Sequence, residues 1–316
     1  MFALSLPKAR LTQVMKKPSL NTLFNKYWYS NLKSPISLEN KQAVVTGGCS
    51  GMGLVITQAL CQSGASTTVI DFNVGAFEEL IQPGGDFHSI RNQISFTYGD
   101  LSDASSTKAA ANNALSNAGG TVDILINCAG VALLDEVETL SMEKFDKTMA
   151  INVRAPFILA QAFGPGMKAQ RSGKIVNISS QASKIACPLH SVYCASKGAI
   201  DGLTRALVSE WGCYNVQINS INPSIVMTAM GKQVWGDPVV AGPMLNMIPA
   251  RRFGEPNEIA DLVLFLSSDK SNFINGQTIS IDGGVTSVST SNEVEPEEEA
   301  HIVMVDLPKM TASSKS

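Results

Sequence analysis

The sequence predicts a doubly wound α/β domain, a seven-stranded parallel sheet of Rossmann type with helices on both faces. Three observations carry the prediction. Seven short runs rich in β-branched residues alternate with longer helix-compatible stretches. A glycine-rich turn, Gly47-Gly48-Cys49-Ser50-Gly51-Met52-Gly53, joins the first run to the first helix. An acid, Asp71, closes the second run.

The first strand, 43–46, is a short apolar run of the kind buried on both faces of a parallel sheet. A helix follows over 54–63, with Gly64 placed to end it. The second strand spans 67–70 and leads into Asp71. Further strands are expected at 95–98, 123–126, 174–178, 216–221 and 278–281, with helices around 76–82, 104–118, 141–169, 191–213 and 255–267. No internal repeat interrupts this order, and residues 39–289 read as one domain.

The chain has 316 residues, enough for one large α/β domain with extensions. Charged residues make up 16%, against roughly 25% in soluble domains. With a mean hydropathy of +0.10, this points to subunit interfaces as well as a core. No apolar run approaches the ~18 residues needed to span a bilayer, so no membrane partner is expected. The net charge of −3 leaves no electrostatic footprint for nucleic acid.

Residues 1–38 carry Lys8, Arg10, Lys16, Lys17, Lys26 and Lys33 and no acid. This basic extension reads as a mitochondrial-type targeting segment or a surface arm, with a cytoplasmic protein as the alternative. Residues 290–316 include Glu293, Glu295, Glu297, Glu298 and Glu299 and read as an acidic, disordered tail. Six cysteines (49, 61, 128, 187, 194 and 213) form no Cys-x-x-Cys pair and no Cys/His cluster with ligand spacing. That argues for a reducing compartment and against both a disulfide framework and a metal site.

A glycine turn between a first strand and a first helix suits a dinucleotide pyrophosphate. Glycine lets the backbone approach the phosphates, and the helix N-terminus offers free N–H groups and a positive dipole. The spacing here is Gly47-x3-Gly51-x-Gly53, with Ser50 and Met52 among the glycines, not G-x-G-x-x-G. Asp71 lies 18 residues after Gly53, where a carboxylate would accept from the adenosine ribose hydroxyls and repel a 2′-phosphate. No Arg or Lys at 47–53 or 72–75 offsets that repulsion. NAD(H) is expected over NADP(H).

Tyr193 and Lys197 stand four apart in a helical stretch and so share a face. A free tyrosine ionises near pH ~10 and is a poor base at neutrality; a neighbouring ammonium favours the phenolate. The pair therefore suits proton transfer to or from a substrate oxygen. The same spacing also occurs on ordinary exposed helix faces.

Together these features resemble the classical short-chain dehydrogenase/reductase family over residues 39–285. The resemblance rests on Thr46-Gly47-x3-Gly51-x-Gly53, Asp100-Leu101 after strand three, Asn127-Cys128-Ala129-Gly130, Asn152, Ser180, Tyr193-x3-Lys197 and Asn222-Pro223. Cys128 stands where a second Asn is usual, and Ser224 replaces a frequent Gly. The resemblance implies that Tyr193 is the acid or base and that Lys197 assists it and binds the nicotinamide ribose. It implies that Ser180 holds the substrate oxygen and that Asn152 anchors a water. Asp100, Leu101, Asn127, Val226 and Thr228 are expected to line the cofactor.

A narrower resemblance is to the L-xylulose (dicarbonyl) reductase and polyol dehydrogenase group. It is carried by 131–134, Ser179-Ser180-Gln181, His190 to Cys194, Asn222-Pro223-Ser224, 226–228, Met230-Gly231 and Trp235. It implies that Gln181, His190 and Trp235 face the substrate, Trp235 from a mobile lid over 229–247. The expected reaction is interconversion of a sugar alcohol and a ketose of five carbons, of the pentitol/xylulose type, and the expected assembly a homotetramer. A 3-oxoacyl-carrier-protein or steroid-type reductase is the alternative enzyme, and an NAD-sensing scaffold the alternative without catalysis.

Overall fold

The computed structural model describes residues 36–288. Nearly all of the basic extension and the acidic tail lie outside the described residues. Seven strands form one sheet: β1 (Gln42–Thr46), β2 (Ser66–Asp71), β3 (Ile94–Tyr98), β4 (Ile124–Asn127), β5 (Gly173–Ile178), β6 (Val216–Pro223) and β7 (Thr278–Ile281). Every neighbouring pair is parallel, in the order β3-β2-β1-β4-β5-β6-β7. Each strand lies within two residues of its expected span.

The helices are α1 (Gly51–Gln62), α2 (Val74–Ile81), α3 (Ala104–Asn117), α4 (Met142–Met149), α5 (Ala155–Gln170), α6 (Ser191–Trp211), α7 (Ala229–Trp235), α8 (Pro238–Met247) and α9 (Pro256–Ser267). The central strands are apolar throughout because both faces are covered. Ala43, Val45, Ile124, Ile126, Val176 and Ile178 pack with Ile56 and Leu60 of α1 and Ile259 and Val263 of α9. The alternate residues Val44, Leu125 and Ile175 pack with α3, α5 and α6, among them Ala110, Leu159, Phe163 and Trp211. Period-two alternation thus fills two cores rather than one core and a wet face.

Two stretches depart from the sequence expectation. The helix foreseen over 141–169 is divided by a π-helical turn, Ala150–Arg154, between α4 and α5. The segment 229–247 folds as two capped helices. Thr228 Oγ1 accepts from Gly231 N, and Asp237 Oδ1 accepts from Val239 N ahead of α8, where Pro238 opens the helix.

The strand order reverses between β1 and β4, so the crossovers on either side diverge there. In open α/β sheets the crevice beyond the carboxyl ends of such strands binds ligands.

Candidate active site

The glycine turn occupies that crevice. Gly47 has φ +67, in the left-handed region that favours glycine, and a Cβ there would lie 3.0 Å from Ala129 Cα. A Cβ on Gly53 would fall 2.1 Å from Gly47 O, so the turn lies directly on the first turn of α1. Ser50 precedes α1 in extended conformation without a side-chain cap bond, and no acid occupies the helix's first turn. The N-terminal N–H groups are therefore offered to an anion. Met52 packs partly into the core below.

Asp71 ends β2 with 7% exposure. Its Oδ2 accepts from Cys49 N at 3.2 Å and its Oδ1 from Asn73 N at 3.0 Å, so both oxygens are held by backbone. Burial, and then the Asp71 carboxylate, push the Cys49 thiol up to about 12, which keeps it protonated at neutral pH. Phe72, the next residue, is 70% exposed and offers a 2′-phosphate no cation.

Asp100 Oδ1 accepts from Ser102 N at 2.9 Å and Ser102 Oγ at 2.6 Å, with Leu101 buried beside it. Asn127 Nδ2 donates to Asn177 Oδ1 at 2.7 Å, while Asn127 Oδ1 is buried without a donor. Val226 is buried and bridges Gly254. The Thr228 methyl lies 3.6 Å from where a Gly51 Cβ would stand, which brings this loop across from the glycine turn. The crowded glycines, the offered helix terminus and the unpaired Asn127 oxygen all fit a dinucleotide.

The second half of the site lies on α6. Lys197 is only 4% exposed, and its Nζ stands 5.5 Å from the Tyr193 ring centroid. That ammonium donates to Ile178 O at 2.8 Å, at the end of β5. Asn152, on the π-helical turn, bonds the Val131 backbone and donates to Ser196 Oγ at 3.0 Å. A Cβ on Gly130 would come within 3.4 Å of both Asn152 Oδ1 and Lys197 Nζ, so the loop after β4 passes close over both. Burial raises the Cys128 thiol to about 12, against an opposing pull from Lys197.

The two adjacent serines have different surroundings. Ser179 is buried and donates to Lys197 O at 3.1 Å. Ser180 is half-buried and caps the 3-10 turn Gln181–Ser183, its Oγ accepting from Ala182 N at 3.1 Å. Gln181 is buried with Oε1 lacking a donor.

His190 lies at the start of α6, its ring edge-on to Tyr193 with centroids 6.0 Å apart. Its Nδ1 lies 2.6 Å from Pro188 O. A carbonyl can only accept, so Nδ1 carries the hydrogen and Nε2 of the neutral ring is an acceptor. Trp235 is partly buried in the apolar packing of the 229–247 segment, 5.9 Å from Phe253 and in one cluster with Ala241 and Ile248.

Thr46 has a part that the motif alone does not reveal. Its Oγ1 accepts from Cys128 N and Ala129 N, both at 3.0 Å, and pins the loop after β4 to the end of β1. Ser196 passes the Asn152 contact on by donating to Tyr193 O at 2.7 Å. A small hydroxyl at a strand end and another one residue before the lysine are the only traces these ties leave in the sequence. Among the described residues, no group of three or more His, Cys, Asp or Glu could hold a metal ion.

Residues 47–286 match the family model described as Enoyl-(Acyl carrier protein) reductase. The chain is 40% identical over 250 residues to a D-threitol dehydrogenase of Mycolicibacterium smegmatis, covering 79% of this chain and 94% of that protein. It is 37% identical to an NAD-dependent glycerol dehydrogenase of Listeria innocua, covering 82% and 98%. It is 36% identical to an L-xylulose reductase of Bos taurus, covering 79% and 98%. Among solved structures, a gluconate 5-dehydrogenase from Burkholderia cenocepacia in complex with NADP and tartrate superimposes with a TM-score of 0.74 at 29% identity, covering 80% and 98%.

Proposed function

The chain belongs to the short-chain dehydrogenase/reductase family, and we propose that it interconverts a sugar alcohol and a ketose with NAD(H), using Tyr193 as acid and base. Relatives over most of its length are dehydrogenases and reductases of polyols and ketoses. The glycine turn, Asp71, Asn127 and Thr228 would hold the dinucleotide, which would supply or take up the hydride. Tyr193 gives its phenolic proton to the developing alkoxide in reduction and takes the alcohol proton in oxidation. The Lys197 ammonium, 5.5 Å from the Tyr193 ring centroid, sets a positive charge beside the phenol, and the Ser180 hydroxyl donates to the same substrate oxygen. Asn152 keeps the loop after β4 in register with the Tyr193 turn.

The observation that carries the substrate class is the pair of acceptors beside Ser180 and Tyr193. Gln181 Oε1 is buried without a donor, and His190 Nε2, opposite the Nδ1 that lies on Pro188 O, offers a lone pair when the ring is neutral. Both call for hydroxyl donors next to the reacting carbon, as a polyol provides. A ligand lacking those hydroxyls leaves the acceptors unpaired and is rejected. Trp235 closes the site from the lid.

For the cofactor, the support is the fixed Asp71 carboxylate. A 2′-phosphate charge about 4 Å from it would be opposed by roughly 4 kcal/mol at an effective dielectric near 20. A homotetramer is supported by a largely apolar groove along α4, α5 and α6, lined by Met149, Val153, Phe157 and Leu203 with Asp146 and Arg154 beside them. The basic first 38 residues favour the mitochondrial matrix over the cytoplasm, which subcellular fractionation tests.

The deciding experiment offers the purified protein glycerol, D-threitol, xylitol and sorbitol with NAD and with NADP, and acetoacetyl thioester with NADH. Oxidation of threitol or xylitol with NAD, abolished by Tyr193→Phe, is the expected result. Turnover of the thioester alone would move the protein to acyl reduction, and faster turnover with NADP would overturn the cofactor assignment.

A further inference from the structure

Asp201 is a buried carboxylate with no part in the chemistry above. It lies on α6 four residues beyond Lys197, on the face packed against the sheet, and is 6% exposed. It accepts from Asn222 Nδ2 at 3.3 Å, and its Oδ1 has no donor among the described residues. Asn222, buried at the end of β6, also donates to Ser183 Oγ at 2.5 Å. Ser183 closes the 3-10 turn that Ser180 caps. One amide thus joins the helix of Tyr193 and Lys197 to the turn of Ser180.

A buried carboxylate with so few donors is costly to keep. Its placement suggests what it secures. Ser179 Oγ and Lys197 Nζ tie the end of β5 to α6, and Ser179 N donates to Ile221 O, but all three bonds lie ahead of the 3-10 turn itself. The Asp201–Asn222–Ser183 chain holds the far end of that turn, on the β6 side, so the turn carrying Ser180 is fixed at both ends.

We infer that Asp201 is a positioning residue, which through Asn222 and Ser183 sets the orientation of Ser180 toward Tyr193. The inference rests on the reading of Ser180 and Tyr193 given above.

The test compares Asp201→Ala and Asp201→Asn with wild type and Tyr193→Phe, using the best polyol of the panel. Asparagine keeps a carbonyl oxygen for Asn222 Nδ2 and removes the charge. Asp201→Ala should lower kcat about 10- to 100-fold, the scale of a misplaced group, with KM and NADH affinity unchanged. Amide hydrogen exchange should quicken over 179–190. Asp201→Asn should restore kcat and slow exchange, with the wild-type pH profile.

Full activity in Asp201→Ala alongside an inactive Tyr193→Phe would sink the inference while leaving the proposed function standing. An Asn variant as impaired as Ala, or one with a displaced pH profile, would overturn it by showing that charge rather than the hydrogen bond matters. Should the Ala variant not fold, the Asn variant decides. Should Tyr193→Phe stay active, the proposed function falls, and the exchange measurement still judges the attachment.

Discussion

Asn152 clasps the main chain of Val131 with both ends of its amide: Oδ1 accepts from Val131 N and Nδ2 donates to Val131 O, each at 2.9 Å. The second hydrogen of Nδ2 goes to Ser196 Oγ, which donates to Tyr193 O. The loop after β4 and the first turn of α6 are therefore held by one side chain. It projects from a π-helical turn, a distortion frequent at functional sites.

Asn152→Ala removes that clasp and leaves two backbone groups of Val131 without their partner. We expect a loss of about 1–3 kcal/mol in stability and a fall in kcat of about 10- to 100-fold from misplacement of the Tyr193 turn. Urea unfolding and steady-state kinetics on one preparation check both. Full activity would show that the loop is held without the clasp.

Gly53→Ala places a methyl 2.1 Å from Gly47 O, where only a backbone shift can relieve the contact. The expected cost is about 1–3 kcal/mol, with NADH affinity falling alongside because the same turn cradles the phosphates. Gly75→Ala on α2 is the control, since a Cβ there meets nothing nearer than Asn73 Oδ1 at 3.8 Å. Thermal unfolding and NADH fluorescence titration separate the two variants.

Asp71→Asn keeps acceptor capacity toward Cys49 N but removes the negative charge. The ratio of kcat/KM for NADPH to that for NADH should rise at least about ten-fold, equivalent to about 1.4 kcal/mol. An unchanged ratio would mean that discrimination lies elsewhere in the adenosine site.

Glu258 lies at the third position of α9 and pairs with Arg252 through two bonds, at 2.8 and 2.6 Å. Arg252 above all, with Glu255 N, holds its carboxyl down from 4.5 to about 2. A depressed folded-state value stabilises above the ordinary value and is lost as pH falls through the folded one. The stability gap between wild type and Glu258→Gln should therefore be constant above pH 4.5 and close toward about pH 2. The gap should be small, since the side chains are 59% and 39% exposed. Urea midpoints measured across that range check the sign.

Much of this molecule is legible in the one-dimensional pattern. The apolar runs at 43–46 and 124–126 locate buried strands because a parallel sheet covered on both sides admits little else. Gly47 and Gly53 announce the cradle because no side chain fits where the turn meets the helix. Less legible were the break at 150–154 and the helices of the lid. The first depends on Asn152 reaching Val131 across the fold, a pairing that no local propensity encodes. The second depends on cap residues Thr228 and Asp237, which serve equally well in turns.

By itself the sequence determined the seven strands, their alternation with helices, the glycine cradle, and Tyr193 and Lys197 on one helical face. All follow from local sterics and from the period of apolar residues along the chain. Only the tertiary structure decided that Ser179 turns inward to Lys197 O while Ser180 remains half-buried. It alone decided that Gln181 and Asn127 keep unpaired buried oxygens, and that Asp201 reaches Ser183 through Asn222. Those outcomes depend on which groups find partners in three dimensions, and residues far apart in sequence compete for the same few donors.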